Sequence, residues 1–190
     1  MKGEEKMFTM FERILMFERE LEILKSNDLW EKIIIPFLIV VLISFLIGLE
    51  RQNMGKSAGI SPHILIGMSS VTIAIIQRYM FLEQGGAAAG AENQRLIAQV
   101  LPGVGFIGAG VILQGERTII GLTTAATIWT CAIVGLVVGS GFVLIGGGFG
   151  IAVLLFIYLR DLKRGINPFR AHFHYDFGDA DIDEDLKRHG

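Results

Sequence analysis

Little in this chain of 190 residues equips it for covalent chemistry, and little of its charge lies where its apolar residues run. A single cysteine, Cys131, excludes an internal disulfide and any cysteine-based zinc cluster. There is no His-Glu-x-x-His pair and no Gly-Lys-Ser/Thr phosphate loop, and Ser140, set between Gly139 and Gly141, has no evident base. The chain is therefore expected not to be an enzyme. A net charge of −2 supplies no overall basic field, which argues against nucleic acid as a partner. The N-terminal residues mix acids with bases and lack an apolar run ahead of a small-residue cleavage site, so no cleaved signal peptide is expected.

What the chain has in abundance is apolar length. A hydrophobic fraction of 52% and a mean hydropathy of +0.53 are too high for an ordinary soluble domain of this size and predict a polytopic membrane protein. A spanning helix needs roughly 20 mostly apolar residues, with about 17 tolerated. By that measure the spans are Trp30 to Leu49, Pro62 to Leu82, Leu96 to Leu113, Gly121 to Gly139 and Phe142 to Leu159. Ahead of them, Met7, Met10, Phe11, Ile14, Leu15, Leu21 and Leu24 recur at helical spacing among charged residues, which predicts an amphipathic helix that lies in the interface or packs on a partner. The fold class that follows is all-α, a membrane bundle of about five transmembrane helices with an N-terminal amphipathic helix. Residues 1–29 would hold that helix, 30–159 the membrane domain and 160–190 a short tail, basic then acidic. Lys and Arg near the span ends divide almost evenly between the two sides. Setting aside the N-terminal helix, whose bases are interleaved with acids, places the C-terminus in the cytoplasm.

The stretch from Gln94 to Trp129 carries the densest pattern. Gly103-Val-Gly105-Phe-Ile-Gly108 fits a dinucleotide-binding spacing, but no strand precedes it and no acidic residue follows at the ribose distance. Gly103, Gly105, Gly108 and Gly110 instead suit close helix packing, or, with Pro102, a break that frees backbone groups to line a cavity. On the fourth span Thr123, Thr127, Cys131, Gly135 and Gly139 recur every four residues as one small stripe, and the third and fourth spans are expected to pack through Gly105 or Gly108 against it. Thr123 and Thr124 also stand where the helix starts, as candidate caps. Glu50 is read as the only acidic residue abutting the core of a span, next to Arg51 and Gln52. Sequence neighbours point about 100° apart on a helix, so Glu50 and Arg51 are expected to find partners elsewhere rather than each other. The expected arrangement is one polar cluster of Glu50, Arg51, Gln52, His63, Arg95, Gln99, Thr123, Thr124 and Thr127 near a membrane boundary, against the alternative of Glu50 as a headgroup anchor. His63 is expected to be hydrogen-bonded rather than metal-bound, and Glu50 is the best candidate should a metal bind.

These residues resemble the MgtC/SapB family of bacterial inner-membrane proteins. The resemblance is carried by Gly48-Leu-Glu50-Arg51-Gln52, by Ala58-Gly59-Ile60 with His63, by Gln94-Arg95 through Gln99, by Gly103-Val-Gly105-Phe-Ile-Gly108-Ala-Gly110-Val-Ile and by Gly121-Leu-Thr-Thr-Ala-Ala-Thr-Ile-Trp129. It implies a multi-pass inner-membrane protein linked to growth in low magnesium and to survival inside host cells. One branch of the family is thought to restrain the proton-translocating F-type ATP synthase, and other members are named for magnesium transport. The implied partners are the lipid bilayer, the ATP synthase membrane sector or another membrane protein, and further copies of the chain in a homo-oligomer. No cofactor is expected, Mg2+ being the one ion to consider. Ser61-Pro62-His63 stands where the family usually has Arg-Thr-His, Glu92-Asn93-Gln94-Arg95 replaces Asp-Pro-Thr-Arg, and Pro102 replaces a Ser. The soluble C-terminal domain of longer members is expected to be missing.

Overall fold

A computed structural model describes residues 18, 29–83, 95–114 and 119–163. Most of residues 1–29, expected to hold the amphipathic helix, and most of the tail expected over 160–190 fall outside the described residues, and residues 160–163 continue the last helix instead of opening the tail. Five helices make up the rest. A π-helical turn, Trp30–Ile34, leads into α1, Ile35–Asn53; α2 is Ile60–Glu83, α3 Arg95–Val111, α4 Leu122–Gly139 and α5 Val143–Lys163. Four of these segments, Trp30–Asn53, Ile60–Leu82, Leu122–Gly139 and Val143–Lys163, are long and apolar enough to cross a membrane, while α3 is apolar but only 17 residues long. The chain is an all-α membrane helix bundle.

Short connections force neighbouring helices to run antiparallel. Gly55, at φ +62°, ends α1: the amides of Met54, Gly55 and Lys56 fold back onto the carbonyls of Glu50, Gln52 and Arg51. Gly141, at φ +101°, makes the Ser140–Phe142 turn between α4 and α5. A two-residue antiparallel ladder, Leu113 with Ile120 and Gln114 with Ile119, joins α3 to α4. The ends of α1, α3 and α5 therefore lie at the same level as the starts of α2 and α4.

In lipid no hydrophobic drive presses helices together, so contact depends on how closely backbones approach. α4 is the central helix and touches all four others. A β-carbon placed at Gly135 would lie 2.7 Å from the Gly67 carbonyl oxygen and 2.8 Å from Ser70 Cβ, and one at Gly139 would lie 2.6 Å from the Val71 carbonyl oxygen. α5 seats Gly146 on Val138 and Gly150 on Ile43. The core between these contacts is built from Val40, Ile43, Ile47, Val71, Ile75, Cys131, Val134, Val138 and Ile157, with a second cluster of Ala58, Val104, Ile128 and Ala132 under α3.

Two expectations about packing are corrected. The stripe of Thr127, Cys131, Gly135 and Gly139 faces α2 and α1, because α2 lies directly against it; α3 meets α4 at Ala125 instead, where a β-carbon placed at Gly108 would lie 3.6 Å from Ala125 Cβ. Among the described residues a β-carbon at Gly103, Gly105 or Gly110 would meet nothing within 4 Å, since these glycines lie on the sides of α3 turned away from α4. Nor does Pro102 break α3, which is helical through it. Gly108→Leu should therefore destabilise the bundle by about 2 kcal/mol through overpacking, whereas Gly105→Ala, with open space around it, should leave the unfolding midpoint unchanged or higher. Thermal unfolding in detergent, followed by size-exclusion chromatography, checks both.

Candidate functional site

At the α1 terminus four charged side chains meet, three of them buried. Glu50 and Arg51 are 0% and 1% exposed, and Arg51 grips Glu50 with Nε on one carboxylate oxygen and Nη2 on the other. This corrects the expectation that they would find separate partners. A guanidinium on a three-carbon stem is long enough to fold back around the helix, and in a buried site its forked donors match a carboxylate in both geometry and charge. From the end of α5, Arg160 places Nη2 3.6 Å from Glu50 Oε1 and 2.8 Å from Asp161 Oδ1. Asp161 is fully buried, and its Oδ2 has no hydrogen-bond partner among the described residues. Two carboxylates and two guanidiniums balance, which offsets the cost of burying three of the four.

Sequence reasoning missed Arg160 and Asp161 by ending the fifth span at Leu159, so Glu50 is not the only acidic residue at a span's core. The signal was present. Gly146, Gly150, Ile157 and Asp161 are the buried residues of α5, spaced 4, 7 and 4, so Asp161 continues the inward face beyond the last apolar residue.

Beside this network lies a second polar group. Gly48 lets α2 begin against α1, a β-carbon there lying 2.7 Å from Ile60 Cα, and the Gln52 side-chain oxygen accepts from the Ile60 amide at 3.4 Å. That crossing carries His63 into the bundle, fully buried. Its Nδ1 is 2.6 Å from the Gly59 carbonyl, which can only accept, so Nδ1 carries a proton. Its Nε2 is 2.9 Å from Thr127 Oγ1, and that hydroxyl also lies 2.8 Å from the Thr124 carbonyl. Both ring nitrogens are thus committed to hydrogen bonds.

Glu50, Arg51, His63, Thr124 and Thr127 are brought to one end of the bundle and buried, with Gln52 exposed at its edge. Thr123 is exposed, and neither threonine caps α4, which starts after Gly121 with no side-chain cap. Arg95 and Gln99 are not part of the group. Both are exposed on the first turns of α3, where Gln77 of α2 accepts a hydrogen bond from the Ile97 amide at 3.1 Å, so they lie at the opposite end from Glu50. Antiparallel alternation is the reason: α1 ends where α3 cannot begin. Among the described residues no three His, Cys, Asp or Glu side chains converge as metal ligands, and both oxygens of Glu50 are held by Arg51.

The MgtC family model matches residues 37–164 of this chain. The Escherichia coli K12 protein named "Putative magnesium transporter YhiD" is 48% identical over 101 residues, which is 53% of this chain and 47% of that protein. SapB of Bacillus subtilis is 43% identical over 108 residues, 55% of this chain and 46% of its own. MgtC of Brucella abortus is 34% identical over 102 residues, 54% of this chain and 40% of its own. The matched stretch thus spans less than half the length of each relative. No solved structure matches the chain.

Proposed function

The chain belongs to the MgtC family, and from that premise we propose that it is a non-enzymatic protein of the bacterial inner membrane that serves adaptation to low magnesium by binding and restraining a membrane partner such as the F-type ATP synthase. The observation that carries this is the closed state of the buried charges. Magnesium dehydrates reluctantly and needs open oxygen ligands. In one protomer both Glu50 oxygens are taken by Arg51, and Asp161 Oδ1 by Arg160. Such a network fixes the geometry of a bundle end more readily than it passes an ion. The outward faces of α3 and α5, rich in exposed apolar side chains, are left for lipid and for partner helices. With the C-terminus in the cytoplasm, the charged network lies at the cytoplasmic boundary.

A second reading, a magnesium or other small-cation transporter working as an oligomer, is favoured by the name that the Escherichia coli relative carries and by the unpartnered Asp161 Oδ2. Liposomes holding the purified chain separate the two. Magnesium entry should match that of empty liposomes, and ATP-driven proton pumping by inner-membrane vesicles should fall when the chain is present. Saturable magnesium uptake that is lost in Glu50→Gln would overturn the regulator and establish the transporter.

A further inference from the structure

The neighbouring guanidiniums leave one oxygen of Asp161 unanswered. Oδ1 accepts twice from Arg160, from Nε at 2.9 Å and from Nη2 at 2.8 Å. Oδ2 is shut away from solvent and has no hydrogen-bond partner among the described residues. A carboxylate oxygen buried without a donor is costly and calls for an explanation. Arg51 supplies none, because its fork is engaged by the two oxygens of Glu50. What faces Asp161 is Glu50 itself: the two carboxyl groups, one from the end of α1 and one from the end of α5, lie within hydrogen-bonding reach of each other. Two ionised carboxylates so placed offer each other only acceptors, and they repel.

We propose that Glu50 and Asp161 hold one proton between them, as a carboxylic acid bonded to a carboxylate, and that this bond locks the end of α5 to the end of α1. The proton turns Asp161 Oδ2 from an unmatched acceptor into a donor, and Glu50 supplies the acceptor. It suits the place better than a metal ion, since among the described residues no three ligating side chains converge there. The positive charge it adds comes out at Arg160, which is 20% exposed and open to hydration. Among the described residues, the titratable and charged groups that face the pair are Arg51 on α1 and Tyr158 and Arg160 on α5; His63 of α2 stands behind Arg51, and the first two turns of α4 carry no titratable side chain. Loss of the proton leaves like charges in contact and pushes the two helix ends apart. Against that push α5 has Ile157 in the core and the Tyr158 hydroxyl, which donates to the Leu46 carbonyl at 3.4 Å. On the regulatory reading, on which this consequence rests, a partner seated across those two helix ends is held or released with the proton.

Infrared spectroscopy of the whole chain in liposomes is the test, because the carbonyl stretch of a protonated carboxyl group stands apart from that of a carboxylate. At neutral pH, where solvated carboxyl groups are ionised, wild type should show the band of one protonated carboxyl group per chain, and raising the pH should remove it. Asp161→Asn keeps a donor in the same place and should fold; both it and Glu50→Gln should lack the band. In mixed micelles the unfolding equilibrium constant of wild type should rise about tenfold per pH unit wherever the folded chain keeps the proton and the unfolded chain does not, and Asp161→Asn should be shallower by that factor. A wild type without the band, a band that survives in Asp161→Asn, or one lost in Asp161→Asn but kept in Glu50→Gln overturns the shared proton. A wild type that carries the band yet leaves ATP-driven proton pumping unchanged at every pH overturns the regulator and leaves the proton site standing. A wild type that lacks the band and still lowers pumping does the reverse.

Discussion

Replacing Arg51 by methionine is expected to cost the folded bundle about 3–5 kcal/mol, the largest loss from any single side chain of the polar network. The reason is the charge left behind. Glu50 is fully buried, and without Arg51 its nearest cation is Arg160, 3.6 Å from one oxygen and already engaged by Asp161. Two carboxylates would then share one partly exposed guanidinium. Arg160→Met should cost less than Arg51→Met, because Arg160 is 20% exposed and water can replace part of what it supplies. The double variant Glu50→Gln/Arg51→Met should recover more than half of the loss, since it removes the pair together. Reversible unfolding in mixed micelles, arranged as a double-mutant cycle, measures all three. A double variant less stable than Arg51→Met alone would show that the pair is not coupled as drawn.

Gly135→Ala should cost the bundle about 2 kcal/mol even after the gain in helix propensity, with Gly135→Leu failing to assemble. The added carbon meets the backbone of α2 at 2.7 Å from the Gly67 oxygen and 3.0 Å from the Val71 nitrogen, and backbone cannot rotate aside as a side chain can. α4 touches every other helix, so a shift there moves Thr127 away from His63 as well. Monodispersity in detergent and retention of the folded band on mild electrophoresis report the outcome. A Gly135→Ala chain as stable as wild type would mean that α2 and α4 lie farther apart than described.

The bundle was largely legible in the sequence because span length and turn chemistry are local. The four long spans end within a few residues of where apolar runs stop, and Gly139-Ser140-Gly141 can form little except a turn. Contacts between helices were legible only where topology agreed with composition. His63 and Thr127 share one end because α2 and α4 both start there, whereas Arg95, attractive as a partner for Glu50 by charge alone, is excluded by the direction in which α3 runs. Glycines were a poorer guide. The chain uses the same residue at Gly135, wedged against backbone, and at Gly103, where a β-carbon would meet none of the described residues, and only the neighbouring helix distinguishes them. Asp161 was hidden by the habit of ending a span at its first charge.

The hairpin of α3 and α4 also constrains how the protein can be made. α3 has 17 residues and carries a proline, which puts it at the short limit of what spans a bilayer. Its Ile97 amide is held by Gln77 behind it, and its inner face and its terminal ladder depend on α4, which emerges from the ribosome later. Until α4 has been synthesised, α3 has nothing on one side to keep it in place. α3 is therefore expected to hold its place in lipid only once α4 lies beside it, so the two behave as one unit of the bundle.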